Sequence, residues 1–176
     1  MKVLLLTTSL NPGSRSRVMA ARANALCAAA GAETCLVDLQ ELSLPFCGTD
    51  GATEHPQVVE LGERVREADG ILVASPVYNY DVNAACKNAV ELTGEAWENK
   101  VVGFMCMAGG PGSYMSAMSF ANSLMLDFRC LIVPRFVYAT GAAIRDGRII
   151  DPEIDRRLEQ LCDALLRLAD VWPPRG

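Results

Sequence analysis

Five short apolar runs, each followed by a stretch of helical character, organise this chain from end to end. They lie at residues 2–8, 33–39, 70–75, 101–107 and 130–133, the last with room to extend past Pro134. Each is too short for an ordinary helix and apolar on successive residues, which is the pattern of strands buried on both faces. Between them the sequence predicts a helix from Arg15 or Ser16 to Ala30, stopped by Gly31, and another from Pro56 to Ala68 with Val58, Leu61, Val65 and Ala68 inward. Further helices are predicted over Asn83–Thr93 and Ser113–Asp127. The last opens at Asp151-Pro152-Glu153 and carries Leu158, Leu161, Leu165 and Leu168 at helical spacing, after a glycine-containing excursion over 141–148. Parallel neighbours require crossover connections, so strands alternating with helices imply an α/β fold with a parallel sheet covered on both faces. At 176 residues the chain has material for one core, and 1–176 is expected to be a single domain.

Composition narrows the function classes. With 51% hydrophobic and 21% charged residues the chain is an ordinary folding sequence rather than a disordered one. The net charge of −5 argues against a nucleic-acid partner, because nonspecific affinity for a polyanion comes from Lys and Arg, and leaves room only for a small local phosphate site. The seven cysteines form no C-x-x-C pair and are odd in number, which points to the cytoplasm. Without a Cys/His cluster no metal site is expected. The apolar run behind Lys2 is too short for a secretory signal. Residues 101–126 carry no charge, but Gly109-Gly110-Pro111-Gly112 divides them into strand, loop and helix, so no membrane partner is expected.

In open α/β sheets ligands sit at the carboxyl ends of the strands, which directs attention to three loops. The first, Ser9-Leu10-Asn11-Pro12-Gly13-Ser14-Arg15-Ser16-Arg17, joins a buried strand to a helix and brings hydroxyls, free N–H groups and a guanidinium to a helix N-terminus, a cradle for phosphate. Ser14 or Ser16 acting only as a helix cap is the plainer alternative. Neither G-x-G-x-x-G nor G-x-x-x-x-G-K-[ST] is present, so Asp38 is not expected to bind a dinucleotide ribose. The second loop, Ser75-Pro76-Val77-Tyr78-Asn79-Tyr80-Asp81, offers aromatic rings and an amide to a planar ligand, with Asp81 also placed to cap the next helix. The third, Met107 to Tyr114, removes side chains at Gly109, Gly110 and Gly112, where a flat ring can lie against backbone; a simple turn is its alternative.

The joint occurrence of S-x-x-x-x-S-R-S, S-P-V-Y-N and the glycine-rich loop resembles the NADPH-dependent FMN reductase family of flavodoxin-like proteins, over residues 2–135 in order. The resemblance implies a flavodoxin-like three-layer sandwich with a five-stranded parallel sheet in order 2-1-3-4-5. It implies FMN as cofactor and NADPH or NADH as co-substrate, with hydride passing from nicotinamide through FMN to a flavin, quinone or similar small acceptor. Carried over residue by residue, it implies that Ser9, Ser14, Arg15 and Ser16 hold the FMN phosphate. Pro76, Val77, Tyr78 and Asn79, with Gly109, Gly110 and Gly112, would meet the flavin ring. Val77 is closer to the sulfonate-linked flavin reductases and Asn79 to the quinone, azo and chromate reductases, which leaves the acceptor open. Homodimers or homotetramers with the flavin near the interface are implied as well. A noncatalytic flavodoxin-like electron carrier is the alternative; Arg15 and the modest acidity favour the enzyme.

This chemistry belongs to the cofactors, so no catalytic side chain is expected. His55, the one histidine, is expected to face solvent before Pro56. Met115, Met118 and Met125 repeat at helical spacing with Leu124 and suit a core or subunit face. Lys87 is expected to snorkel or to pair across an interface. No basic pair stands out in the sequence as a ribose-phosphate site, so the choice between NADPH and NADH stays open at this level.

Overall fold

A computed structural model describes residues 1–172; the last four residues of the expected 1–176 domain lie outside the described residues. The elements in order are β1 (Lys2–Thr7), α1 (Ser16–Ala29), β2 (Glu33–Asp38), α2 (Pro56–Glu67), β3 (Gly70–Tyr78), β4 (Asp81–Val82) and α3 (Ala84–Thr93). There follow β5 (Val101–Ala108), α4 (Met118–Phe128), β6 (Leu131–Ile132), β7 (Val137–Thr140), β8 (Ile144–Arg145), β9 (Arg148–Ile149) and α5 (Pro152–Val171).

The sheet runs β2-β1-β3-β5-β6, with β7 continuing beside β5 beyond β6. Counted by parallel strand positions this is the expected 2-1-3-4-5 order. The sheet nonetheless holds seven strands rather than five, for two local reasons. The segment around Pro134 interrupts the fifth position, splitting it into β6 and β7, because proline cannot donate to a ladder. And β3 runs to Tyr78 and folds back on β4 as an antiparallel pair, Val77 opposite Val82 and Tyr78 opposite Asp81. Asn79 and Tyr80 both take positive φ, 50° and 64°, as a two-residue hairpin turn demands.

Side chains alternate across the sheet, so both faces are buried. Val3 and Leu5 of β1 pack toward α1 and α5 with Leu158, Leu161 and Leu165, while Leu4 and Leu6 pack toward α2, α3 and α4 with Leu61, Val65 and Phe120. Helix α5 lies close on the sheet: a Cβ at Gly70 or Gly103 would come within 2.9 Å of Leu165 or Leu161. Asp151 caps α5 by accepting from the Glu153 N–H at 2.9 Å, ahead of Pro152. The helix expected from Ser113 begins only at Met118. Pro111–Ser113 forms a separate 3-10 turn held by Tyr138 of β7, whose hydroxyl lies 2.8 Å from Ser113 Oγ and also donates to the Gly110 carbonyl.

Candidate functional site

The carboxyl ends of β1, β3 and β5 meet at one edge of the molecule, and a buried asparagine joins the first two. Asn83, 5% exposed, donates from Nδ2 to the Thr8 carbonyl at 2.6 Å and accepts at Oδ1 from Thr8 Oγ1 at 2.7 Å and Ser75 Oγ at 3.1 Å. It is also the residue that precedes α3, so Asp81 does not cap that helix. Asp81 instead accepts from the Val82 N–H at 2.7 Å and the Ser119 hydroxyl at 2.9 Å.

The first loop turns through Asn11, whose side chain accepts from Gly13 N–H at 2.9 Å and whose carbonyl accepts from Ser14 N–H at 3.0 Å. Ser9 and Ser16 are buried, Ser14 is half-buried, and Ser14 Oγ lies 2.8 Å from Ser16 Oγ. Arg15, which precedes α1, makes no side-chain cap; Ser14 Oγ accepts from the Ser16 N–H at 3.4 Å, a long bond in the sense of the cap alternative, and the Arg15 carbonyl accepts from the Val18 N–H at 3.1 Å, which leaves the Arg17 N–H as the first-turn donor without such a partner among the described residues. Arg15 is exposed and forms no ion pair among the described residues. Its guanidinium lies over Gly141, just beyond β7, where a Cβ would collide with it. Three hydroxyls, the Arg17 N–H and a free guanidinium at one helix end are a donor set that fits a phosphate monoester.

Arg17, two residues on, has a different task. It donates from Nη2 to the Ser9 carbonyl at 2.7 Å and to Asp38 Oδ1 at 3.1 Å, and its Nε and Nη1 reach Asp38 Oδ2 and the Asn11 carbonyl. All faces of this guanidinium are engaged, so Arg17 ties the first loop to the end of β2. Asp38 is thereby fully committed, which accounts for its lying where a ribose-binding acid would sit. Burial pushes the Asp38 carboxyl up, but the Arg17 guanidinium and the Gln40 N–H outweigh it and hold the group below its ordinary value.

In the second segment Pro76 is buried, Val77 half-buried, and Tyr78 and Asn79 exposed at the hairpin tip. Opposite it, Gly109 and Gly110 have nothing within 4 Å of where a Cβ would stand, while a Cβ at Gly112 would lie 3.7 Å from the Tyr80 hydroxyl. The third loop therefore abuts the second and leaves open space in front of its two leading glycines. Tyr78, Tyr80 and Tyr114 are all exposed around this edge. Ser116, just past the loop, keeps a buried hydroxyl with no partner among the described residues.

The expected residues thus gather at one edge as three adjoining loops. Asn83, Arg17 and Tyr138, which build that edge, went unread, although Asn83 directly before a helix and Arg17 directly after the serines were visible signals. His55 is half-buried rather than solvent-facing, since it precedes α2 with Nδ1 buried. Lys87 pairs with Glu91 one turn on along α3, at 3.0 Å. Met115, Met118 and Met125 are 63%, 42% and 40% exposed, so of the four residues at that spacing only Leu124 is in the core.

A parallel sheet in this order, with a hydroxyl-rich first loop and side-chain-free space beside it, defines a flavodoxin-like fold of the mononucleotide-binding kind. The chain belongs to the NADPH-dependent FMN reductase family, whose model matches residues 1–144. It is 30% identical, over an alignment of 181 positions, to an NAD(P)H:quinone oxidoreductase of Solanum tuberosum, covering 96% of this chain and 92% of that protein. An NADPH azoreductase of Bacillus sp. (strain OY1-2) is 25% identical over 116 positions, 65% of each chain. Among solved structures, the flavoenzyme FerB of Paracoccus denitrificans superposes with a TM-score of 0.77 at 19% identity, covering 96% of this chain and 97% of its own. An archaeal flavodoxin gives 0.63 at 12% identity, covering 94% and 99%.

Proposed function

We propose that residues 1–176 form one FMN-binding domain of an NAD(P)H oxidoreductase that reduces a flavin, quinone or similar small acceptor. The observation that carries this reading is the gathering of Ser9, Ser14, Ser16 and the unpaired Arg15 at the N-terminus of α1, next to the open face of Gly109 and Gly110. Ser9, Ser14 and Ser16 donate hydroxyls, the first turn of α1 donates the Arg17 N–H, and Arg15 supplies the charge that a phosphate dianion needs. Pro76 and Val77 give one wall for a planar ring, Tyr78 and Asn79 its edge, and Gly109, Gly110 and Gly112 a backbone wall opposite. Held by these residues, FMN would supply the redox chemistry between a nicotinamide and the acceptor. The chain's own work is to bind, orient and shield: exposed Tyr78, Tyr80 and Tyr114 are set to cover apolar ligand surface from water, and no side chain is required to transfer a proton.

The exposed Met115, Met118, Met125 and Leu126 form an apolar face beside this edge, and it supports a homodimer or homotetramer with the site near the interface. No described helix is long and apolar enough to cross a membrane. All seven cysteines are free, which supports a reducing, cytoplasmic setting.

The test is direct. Protein stripped of flavin is titrated with FMN and with riboflavin, then assayed for NADPH and NADH oxidation with a quinone or free flavin. Tight FMN binding, much weaker riboflavin binding and steady turnover are expected. A protein that takes up neither flavin, or takes up both equally, contradicts the assigned phosphate loop.

A further inference from the structure

Between β7 and α5 the chain makes an excursion that contributes nothing to the main sheet. After the Gly141–Ala143 turn, β8 and β9 pair as a two-stranded hairpin closed by Asp146 and Gly147, both at positive φ. Ile144 faces Ile149 across the pair and both pack into the α1/α5 core, which pins the register. The other pair is Arg145 facing Arg148, both exposed. Neither forms an ion pair among the described residues. Of the nearby carboxylates, Asp151 caps α5 and Asp155 is held by Arg22, which leaves Asp146 in the turn. Like charges set directly opposite destabilise a hairpin, so this pair has a cost that an anion between the two guanidinium groups would remove.

The hairpin borders a cleft of about 680 Å³ whose opposite wall is the first loop, with Ser14 and Arg15 on one side and Arg145, Asp146 and Gly147 on the other; Arg148, across the pair from Arg145, stands at its rim and lines the neighbouring cleft beside Arg22. That space accommodates a nucleoside phosphate. A phosphomonoester could come from the flavin or from the dinucleotide co-substrate, and the two walls differ in character. The α1 end offers buried hydroxyls and a backbone N–H, suited to a ligand that stays. The hairpin offers only exposed, screened charge, suited to one that leaves in each turnover.

We propose that Arg145 and Arg148 form the subsite for the 2′-phosphate of NADPH and so set the preference over NADH. The proposal rests on the FMN-oxidoreductase reading, and the experiment separates the two. FMN-saturated parent protein and the R145Q/R148Q variant are titrated calorimetrically with adenosine 2′,5′-bisphosphate and with 5′-AMP. KM values for NADPH and NADH are measured alongside. Adenosine 2′,5′-bisphosphate should bind the variant roughly tenfold or more weakly, 5′-AMP equally, and only the NADPH KM should rise. With the like-charge pair gone and Ile144 and Ile149 kept, the variant should melt no lower than the parent. Equal losses with both adenosine probes, no loss with either, or, when flavin-stripped parent and variant are titrated with FMN and riboflavin, a loss confined to FMN would each overturn it. If the parent binds no FMN, the functional reading falls, yet the two adenosine titrations still decide the subsite on the flavin-free protein.

Discussion

Replacing Arg17 by alanine should cost both stability and flavin affinity, although Arg17 is argued to touch no ligand. Its partner Asp38 has a side chain 9% exposed and Arg17's own is 22% exposed, so the pair lies between a surface bridge, worth up to about 1 kcal/mol, and a buried one, where losing a partner costs about 3–5 kcal/mol. A loss of about 2 to 3 kcal/mol is expected in urea denaturation, from a total of roughly 5–15 kcal/mol for a domain. The guanidinium also holds the carbonyls of Ser9 and Asn11. If its removal frees even one loop residue that FMN must then reorder, the cost is about 1–2 kcal/mol, or roughly five- to thirtyfold in Kd by flavin-fluorescence titration. Asp38→Ala should cost less once Arg17 is already gone, with a coupling of about 1.5 kcal/mol or more in a double-mutant cycle. The pair also fixes a pH signature. Asp38 has its carboxyl pKa lowered by folding, so its contribution is complete above the ordinary value of 3.8 and is lost as pH falls through the lower folded value. The stability gap between parent and R17A should therefore stay level from pH 7 to pH 5 and close only below about pH 4. Additive single-mutant losses, or an R17A protein that binds FMN like the parent, would refute the tethering role.

Arg15→Glu should weaken FMN binding about tenfold or more, by placing like charge against the phosphate, while leaving the melting temperature within a degree or two, since Arg15 is exposed and unpaired; calorimetric titration beside a thermal scan checks both. Gly110→Val should fold normally, because the backbone there is extended (φ −160°) and a Cβ meets nothing within 4 Å, yet it should lower flavin affinity by filling the space left for the ring; unchanged flavin titration would make the third loop only a turn. A thiol reagent at pH 7.5 should modify exposed Cys47 rapidly and half-buried Cys35 slowly. The buried cysteines should react only on unfolding, burial having raised the Cys106 thiol to about 12 and Cys130 to about 11; mass spectrometry of the labelled protein reads the order.

The elements legible in the sequence are those whose patterning is set by burial. Leu4, Leu5 and Leu6 announce a strand covered on both faces, and Val58, Leu61 and Val65 announce a helix covered on one. Pro12 to Ser16 likewise announced the donor-rich turn after β1. What was illegible depends on partners far along the chain. Little local marks β3 as passing through Pro76 to Tyr78, because its continuation follows from a hairpin turn at Asn79 and Tyr80; Asn79 is of a type that favours positive φ, but Tyr80, where a glycine would be expected, gives no such signal. The late start of α4 is set by Tyr138, twenty-five residues beyond Ser113. Arg15 and Arg17 look equivalent as letters. Only the packing of α1 against β2 sends one to a carboxylate and leaves the other free.

One residue, Asn83, ties the end of β1 to the body of β3 through its side-chain amide and leads into α3 through its backbone. A receptacle braced in this way has its shape before any visitor arrives, so little of the guest's attraction is diverted into building the host. It also means that damage at this single node would not degrade one wall and spare another: the walls would loosen together.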